Sequence, residues 1–106
     1  MTSKNLRICL ALTVLLPATV RAEKVRIEVE GLDRDLRRNV VANLSLEEAR
    51  DDDDLNEDRI RRLHASAPEE IETALQPFGY YRPGVQSALE REGDTWVARY
   101  TVEPGP

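Results

Sequence analysis

Ala74-Leu75-Gln76-Pro77-Phe78-Gly79-Tyr80-Tyr81-Arg82-Pro83 is the stretch on which the fold turns. It reads as the end of an amphipathic helix, a glycine stop and the beginning of a strand. Gly79 can take the left-handed conformation that closes a helix at little steric cost. Two tyrosines then open an extended run. Pro83 pushes its neighbour Arg82 out of helical geometry. The chain therefore changes from helical to extended structure here, and the segments on either side carry the matching periods.

Upstream, one helical stripe runs through Ile60, Leu63, Ala67, Ile71, Ala74, Leu75 and Phe78. Asn56 is placed to cap its start. Pro68 interrupts the stripe, and Ser66-Ala67-Pro68-Glu69 has the form of a fresh helix start. One kinked helix or two short ones sharing a face both fit. Arg59, Arg61, Arg62, Glu69, Glu70 and Glu72 fall on the outer side. Downstream, a strand is predicted from about Tyr81 to Arg91, with Val85, Ser87 and Leu89 on one face and Gln86, Ala88 and Glu90 on the other. Glu92-Gly93-Asp94 supplies turn chemistry. A strand from Thr95 to Glu103 follows, with Trp96, Ala98, Tyr100 and Val102 opposite Val97, Arg99 and Thr101. The two strands read as a hairpin.

The earlier part of the chain adds one strand and one helix. Lys24 to Glu30 alternates: Val25, Ile27 and Val29 face one way, Lys24, Arg26, Glu28 and Glu30 the other. Gly31 ends that strand. Leu32, Leu36, Val40 and Leu44, with Val41 beside them, mark a helix running to about Leu46. Asp33 and Asp35 suit the positive end of its dipole. From Glu47 to Asp58 acid dominates, centred on Asp51-Asp52-Asp53-Asp54, and the segment reads as a solvated, mobile loop. A calcium loop of EF-hand type would need a central glycine and a closing glutamate at fixed spacing, and glycine is missing. No metal is expected.

The order strand, helix, helix, strand, strand predicts an α+β two-layer sandwich, with a three-stranded mixed sheet covered by two helices. The last strand is richest in apolar and aromatic residues and belongs in the centre, giving the order 1-3-2. Pro83 and Gly84 suit the second strand to an edge. Its unpaired backbone makes Tyr81, Arg82, Val85, Gln86, Ser87, Ala88, Leu89 and Glu90 the candidate partner-binding residues.

Residues 1–22 read as an export signal. Lys4 and Arg7 precede the mostly apolar run Ile8 to Leu16, Pro17 breaks it, and Val20-Arg21-Ala22 precedes a cleavage point between Ala22 and Glu23. The run is shorter than the about 20 residues a membrane span needs. A buried first helix is the competing reading. Cys9 would leave with the signal, so the remaining 84 residues contain no cysteine and hence neither a disulfide nor a thiol nucleophile. Lys4, Arg7 and Arg21 leave too, so 12 basic residues face 20 acidic ones, a net charge of about −8. That balance argues against phosphate-mediated nucleic-acid binding and against docking on an anionic membrane. One small domain, residues 23–103, is expected, with 104–106 as the start of a linker because Val102-Glu103-Pro104-Gly105-Pro106 closes a strand on a proline-glycine-proline run. So small a core is marginal by itself.

No catalytic constellation emerges. His64, the single histidine, reads as a helix-flank residue; Ser45, Ser66 and Ser87 lack a nucleophile-elbow context; no glycine-rich phosphate loop occurs. Neither an enzyme nor a cofactor is expected. Trp96 and Phe78 are read as packing between sheet and helices. Tyr80 and Tyr81 either pack in the same way or form an exposed aromatic ledge beside the second strand.

Together, Val25-Arg26-Ile27-Glu28-Val29-Glu30-Gly31-Leu32, Phe78-Gly79-Tyr80-Tyr81-Arg82-Pro83 and the run Trp96 to Pro106 resemble a POTRA (polypeptide-transport-associated) domain, more closely the first POTRA domain of the TamA family. The likeness spans Glu23 to Pro106. It implies a periplasmic location, further POTRA modules, an outer-membrane β-barrel, a TamB-like protein partner and a role in outer-membrane protein assembly or translocation. The present chain carries no second module and no barrel, so by itself it would insert nothing into a membrane. A fragment, including a non-functional truncated one, the product of an interrupted gene and a stand-alone periplasmic module all fit. Three functions stay open: a binding module that recruits partners or clients along its edge strand, a structural spacer, and a small secreted enzyme or inhibitor of unrelated type.

Overall fold

Alternation, helical stripe and hairpin assemble into one three-stranded sheet with helices on one face. The computed structural model describes residues 22–105; the segment read as an export signal, with Cys9, lies outside the described residues. Strand β1 is Lys24–Glu30, helix α1 Arg34–Ala42, α2 Ser45–Ala49 and α3 Glu57–Leu75. A 3₁₀ turn, Gln76–Phe78, follows, and then β2, Gly84–Glu92, and β3, Thr95–Glu103. The sheet order is β1-β3-β2, as the apolar content of the last strand predicts. β1 runs parallel to β3, with Val25 beside Trp96 and Val29 beside Tyr100. β2 runs antiparallel to it, with Val85 beside Val102 and Leu89 beside Ala98.

This register sends Val25, Val29, Trp96, Ala98, Tyr100 and Val102 to the helix side, where they join Val40, Leu44, Leu46, Ile60, Ala67, Ile71 and Leu75 in a single core. The opposite face is a charged lattice. Arg99 bonds Glu28 at 2.9 Å and Glu92 at 3.1 Å and also reaches Glu90, while Arg26 bonds Glu28 at 3.1 Å and Glu92 at 3.2 Å. Val97 sits amid these side chains, between Arg26 and Glu90 in register, and is fully buried. Long charged side chains cover apolar surface with their stems.

The predicted first helix is two helices. α1 starts where expected, with Asp33 Oδ1 accepting from the Leu36 N–H at 2.9 Å. It stops at Asn43, and Leu44 is extended, at φ −85° and ψ 130°. The reason lies in Leu44 and Leu46, which are both buried. In a continuous helix residues two apart point about 200° away from each other, so one of the pair would face water. The extended residue at 44 lets both reach the core.

That break leaves α2 without a capping side chain of its own, since Leu44 cannot accept a hydrogen bond. Glu70 of α3 supplies one, accepting from the Ser45 N–H at 2.9 Å and the Ser45 hydroxyl at 2.5 Å. The sequence placed Glu70 on an outer, solvated face; it is half-buried and joins two helices. Hydrogen bonds to a charged group contribute about 1.5–3 kcal/mol, so Glu70→Ala is expected to destabilise the domain by about 2 kcal/mol. Urea unfolding checks this, and Glu70→Gln, which still accepts, is expected to lose about half as much.

Only part of Glu47–Asp58 is solvated loop, contrary to the expectation from its charge. Glu47 to Ala49 belong to α2, and Leu55 is buried. Arg59 holds the acids from the first turn of α3, bonding Asp52 at 2.9 Å and Asp54 at 3.1 Å. Asn56 caps that helix through the Arg59 N–H, as predicted. Of the two readings for Pro68, the structure has one helix running through it.

The opening stretch folds as its residues predict, with two corrections. Gly79 is left-handed, at φ +92°, and the Tyr80 N–H reaches back to the Leu75 carbonyl at 3.3 Å. Phe78, however, is half exposed and does not pack in the core. The tighter 3₁₀ winding swings it about 60° relative to a continued α-helix, into the mouth between α1 and α3 beside Asn39. The second correction is the start of β2: it begins at Gly84, so Tyr81 and Arg82 precede the strand, and Tyr81 is exposed.

Candidate functional site

His64, read from the sequence as a helix-flank residue, has a structural partner in the core. His64 Nδ1 lies 2.6 Å from the hydroxyl of Tyr100, which has no exposed surface. A buried hydroxyl needs a partner, and His64 is it. Burial, and then the positive charge of Arg61, hold the His64 imidazole below its ordinary value of 6.5, while burial raises the Tyr100 phenol. The neutral ring therefore accepts from Tyr100 at neutral pH. Folded His64 resists a proton that the unfolded chain takes up. Its contribution to stability is complete above about pH 6.5 and is lost as the pH falls through the lower folded value. Thermal melts between pH 7 and pH 5 are expected to show this loss, and His64→Gln, with its tautomer-free acceptor, is expected to flatten it.

Trp96 packs as predicted. Its indole N–H donates to Glu23 Oε1 at 2.9 Å, and the guanidinium groups of Arg61 and Arg91 lie 5.1 and 5.0 Å from its ring centre. Glu23 also pairs with Arg91 and donates its N–H to the Leu55 carbonyl at 2.9 Å. The residue after the predicted cleavage point is thus already part of the fold. Among the described residues, no group of three or more His, Cys, Asp or Glu is arranged to hold a metal ion, and no helix is long and apolar enough to cross a membrane.

What the architecture does expose is strand edge. Each of β1 and β2 pairs with β3 on one side only. Of the candidate residues, Val85, Gln86, Ser87, Ala88, Leu89 and Glu90 lie together on β2. Val85 and Leu89 are half-buried against the core, and Gln86, Ser87, Ala88 and Glu90 are exposed. Val85 to Leu89 carries no charge; Glu90, Arg91 and Glu92 crowd one end. Proteins commonly guard edges with charge, and this window lacks it. Tyr81 and Arg82 stand before the strand and would flank an incoming chain. β1 is a second edge, since the order 1-3-2 leaves it equally outermost.

The family model described as POTRA domain, TamA domain 1, matches residues 26–104, from the third residue of β1 to just past the end of β3. The chain belongs to the POTRA family, as a first POTRA domain of the TamA type. POTRA domains as a class are scaffold modules, and this one has the strand-helix-helix-strand-strand order, supplemented by the short α2. The charged lattice on the open face of the POTRA sheet satisfies its own ions internally, with Arg99 and then Arg26 holding the Glu28 carboxyl below its usual range. That leaves the edges as the surfaces with backbone hydrogen-bonding capacity.

Proposed function

We propose that this POTRA domain is a periplasmic recognition module of an outer-membrane protein assembly or translocation factor, and that it holds partners or clients by accepting an extended segment along β2. The observation that carries the reading is the uncharged window Val85 to Leu89 on an edge strand. Backbone hydrogen bonds to such an edge supply affinity, and side chains at alternate positions supply selectivity. Family membership supports the assembly role and, with it, a TamB-like partner, companion POTRA domains and a β-barrel. A signal cut between Ala22 and Glu23 suits the fold, because a new terminal ammonium on Glu23 still donates to Leu55.

Proline in the β2 window is the test. Neighbouring residues of an edge strand direct their N–H groups alternately to the partner strand and to solvent. Of Gln86→Pro and Ser87→Pro, one therefore removes a β3 bond and the other removes only the outward donor. The variant that keeps its circular dichroism and melting temperature is expected to lose partner capture by about tenfold, the equivalent of one good hydrogen bond to a strand. A folded proline variant that captures partners normally would overturn the β2 reading and favour a spacer. Fractionation of cells with an antibody to this domain checks the location: the proposal expects a large outer-membrane band.

A further inference from the structure

We propose that the opposite edge, β1, is a second strand-accepting site selective for an extended acidic segment of a protein partner. The observation is a groove between β1 and α1, with Ile27, Val29 and Val41 as its apolar floor and Arg34, Arg37 and Arg38 along its wall. Val29 is buried, and Ile27 and Val41 are half-buried.

The three arginines are set apart by their clustering. Acidic residues outnumber basic ones, and Lys24, Arg26, Arg50, Arg59, Arg61, Arg91 and Arg99 each have an acidic partner. Among the described residues, Arg62 on α3 and Arg82 ahead of β2 form no ion pair either, but each is the single unpaired arginine of its segment, whereas Arg34, Arg37 and Arg38 follow one another on α1. Among the described residues, Arg34, Arg37 and Arg38 form no ion pair, and all three are exposed. Their placement is also unfavourable in the free protein. Arg37 and Arg38 lie three and four residues after Arg34, so like charges face each other on one side of the helix. Arg34 is the first residue of α1 and the others follow within about a turn and a half, near the end where the helix dipole disfavours cations. Asp33 is occupied as the cap, and Asp35 offsets only part of this charge. Two acids line the groove as well, Glu28, engaged by Arg26 and Arg99, and Glu30, which forms no ion pair with the wall; three arginines against two acids leave the groove net positive.

Charge complementarity and the open edge together select the ligand. A strand added to β1 would place alternate side chains on the α1 side. An aliphatic residue there would cover Ile27 and Val41, and acidic residues two positions away would reach the arginines. Guanidinium forks bind carboxylates with two parallel hydrogen bonds, which gives direction as well as attraction. The two edges would then differ in chemistry, with β2 taking an uncharged segment and β1 an acidic one.

The test uses a fluorescent peptide of alternating glutamate and valine, measured by anisotropy against the purified protein, with ¹⁵N NMR for location. Binding is expected to shift the amides of Arg26 to Glu30, to weaken with added salt, and to fall at least about tenfold when glutamine replaces glutamate. Arg37→Glu with Arg38→Glu is expected to weaken it by a similar factor. That variant should fold, because acids near a helix start are favoured. A peptide methylated on every backbone nitrogen keeps the charge but cannot pair as a strand along either edge, and it is expected not to bind. Equal binding by the methylated peptide would mean simple charge attraction and overturn the proposal. Shifts confined to Val85 to Glu90 would overturn it while leaving the β2 reading intact, and no binding at all would overturn it without touching that reading. Sedimentation as a dimer through β1 in the absence of peptide would assign the edge to a second copy of the chain, against the proposal.

Discussion

Gly31→Ala is expected to destabilise this domain by about 4 kcal/mol, roughly 20 °C in melting temperature for a chain of this size. Gly31 follows the last residue of β1 with φ at +100°, and a Cβ there would sit 2.0 Å from the carbonyl oxygen of Val102. Two costs combine. The left-handed backbone strains any L-residue with a side chain, and the colliding atom belongs to the backbone of the central strand. Val102 cannot swing aside as a flexible side chain would; β1 and β3 must part at the end of their ladder. Gly79→Ala is the control. Its φ is also positive, at +92°, but nothing lies within 4 Å of the added carbon. It is expected to cost only about 1 kcal/mol. Chemical denaturation of both variants separates backbone strain from collision. Equal losses would show that the close approach of Gly31 to Val102 carries no weight.

Leu55→Ala is expected to cost about 3 kcal/mol, and about 15 °C in melting temperature, although Leu55 lies within four residues of the four-aspartate run. Its side chain is 2% exposed and forms part of the core, while its carbonyl accepts from Glu23. Truncation would leave a cavity beneath the acidic segment and loosen both the start of α3 and the chain ahead of β1. Asp54→Ala, one residue earlier and bonded only to Arg59 at the surface, is expected to change stability by under about 0.5 kcal/mol. Thermal melts of the pair decide the matter. If Leu55→Ala were as mild as Asp54→Ala, the segment would be the simple solvated loop that its charge suggests.

Most of the architecture was legible in the sequence because its signals are local. Alternation at Lys24 to Glu30 and Thr95 to Glu103 names strands, the Ile60-to-Leu75 stripe names α3, and Gly79 names its end. The caps at Asp33 and Asn56 follow from residue type and position. Even the order β1-β3-β2 could be read, because a central strand must be apolar on both faces and only Thr95 to Glu103 comes close. The candidate edge was legible for the same reason, with Pro83 and Gly84 marking β2, though its start was placed three residues early because tyrosines suit strands in general.

What escaped the sequence depends on residues far apart in the chain. Whether Leu44 and Leu46 can share one helix is decided by where the core lies, not by their spacing. Glu70 looks like any outer glutamate until α2 begins beside it, and His64 has no visible role until Tyr100 arrives from β3. Leu55 is hidden by its acidic neighbours, because composition averages over a window while burial acts on single side chains. Nothing in the sequence sets the arginines of α1 apart, and only the packing of α1 against β1 places them along an open sheet edge. The sequence by itself determined the three strands, the two longer helices, their order and the hydrophobic face of each, since those follow from periodicity and backbone stereochemistry, but not the break that makes α2. The tertiary structure alone decided the cross-helix cap, the buried His64–Tyr100 bond and the groove beside β1, since each requires groups brought together by the fold.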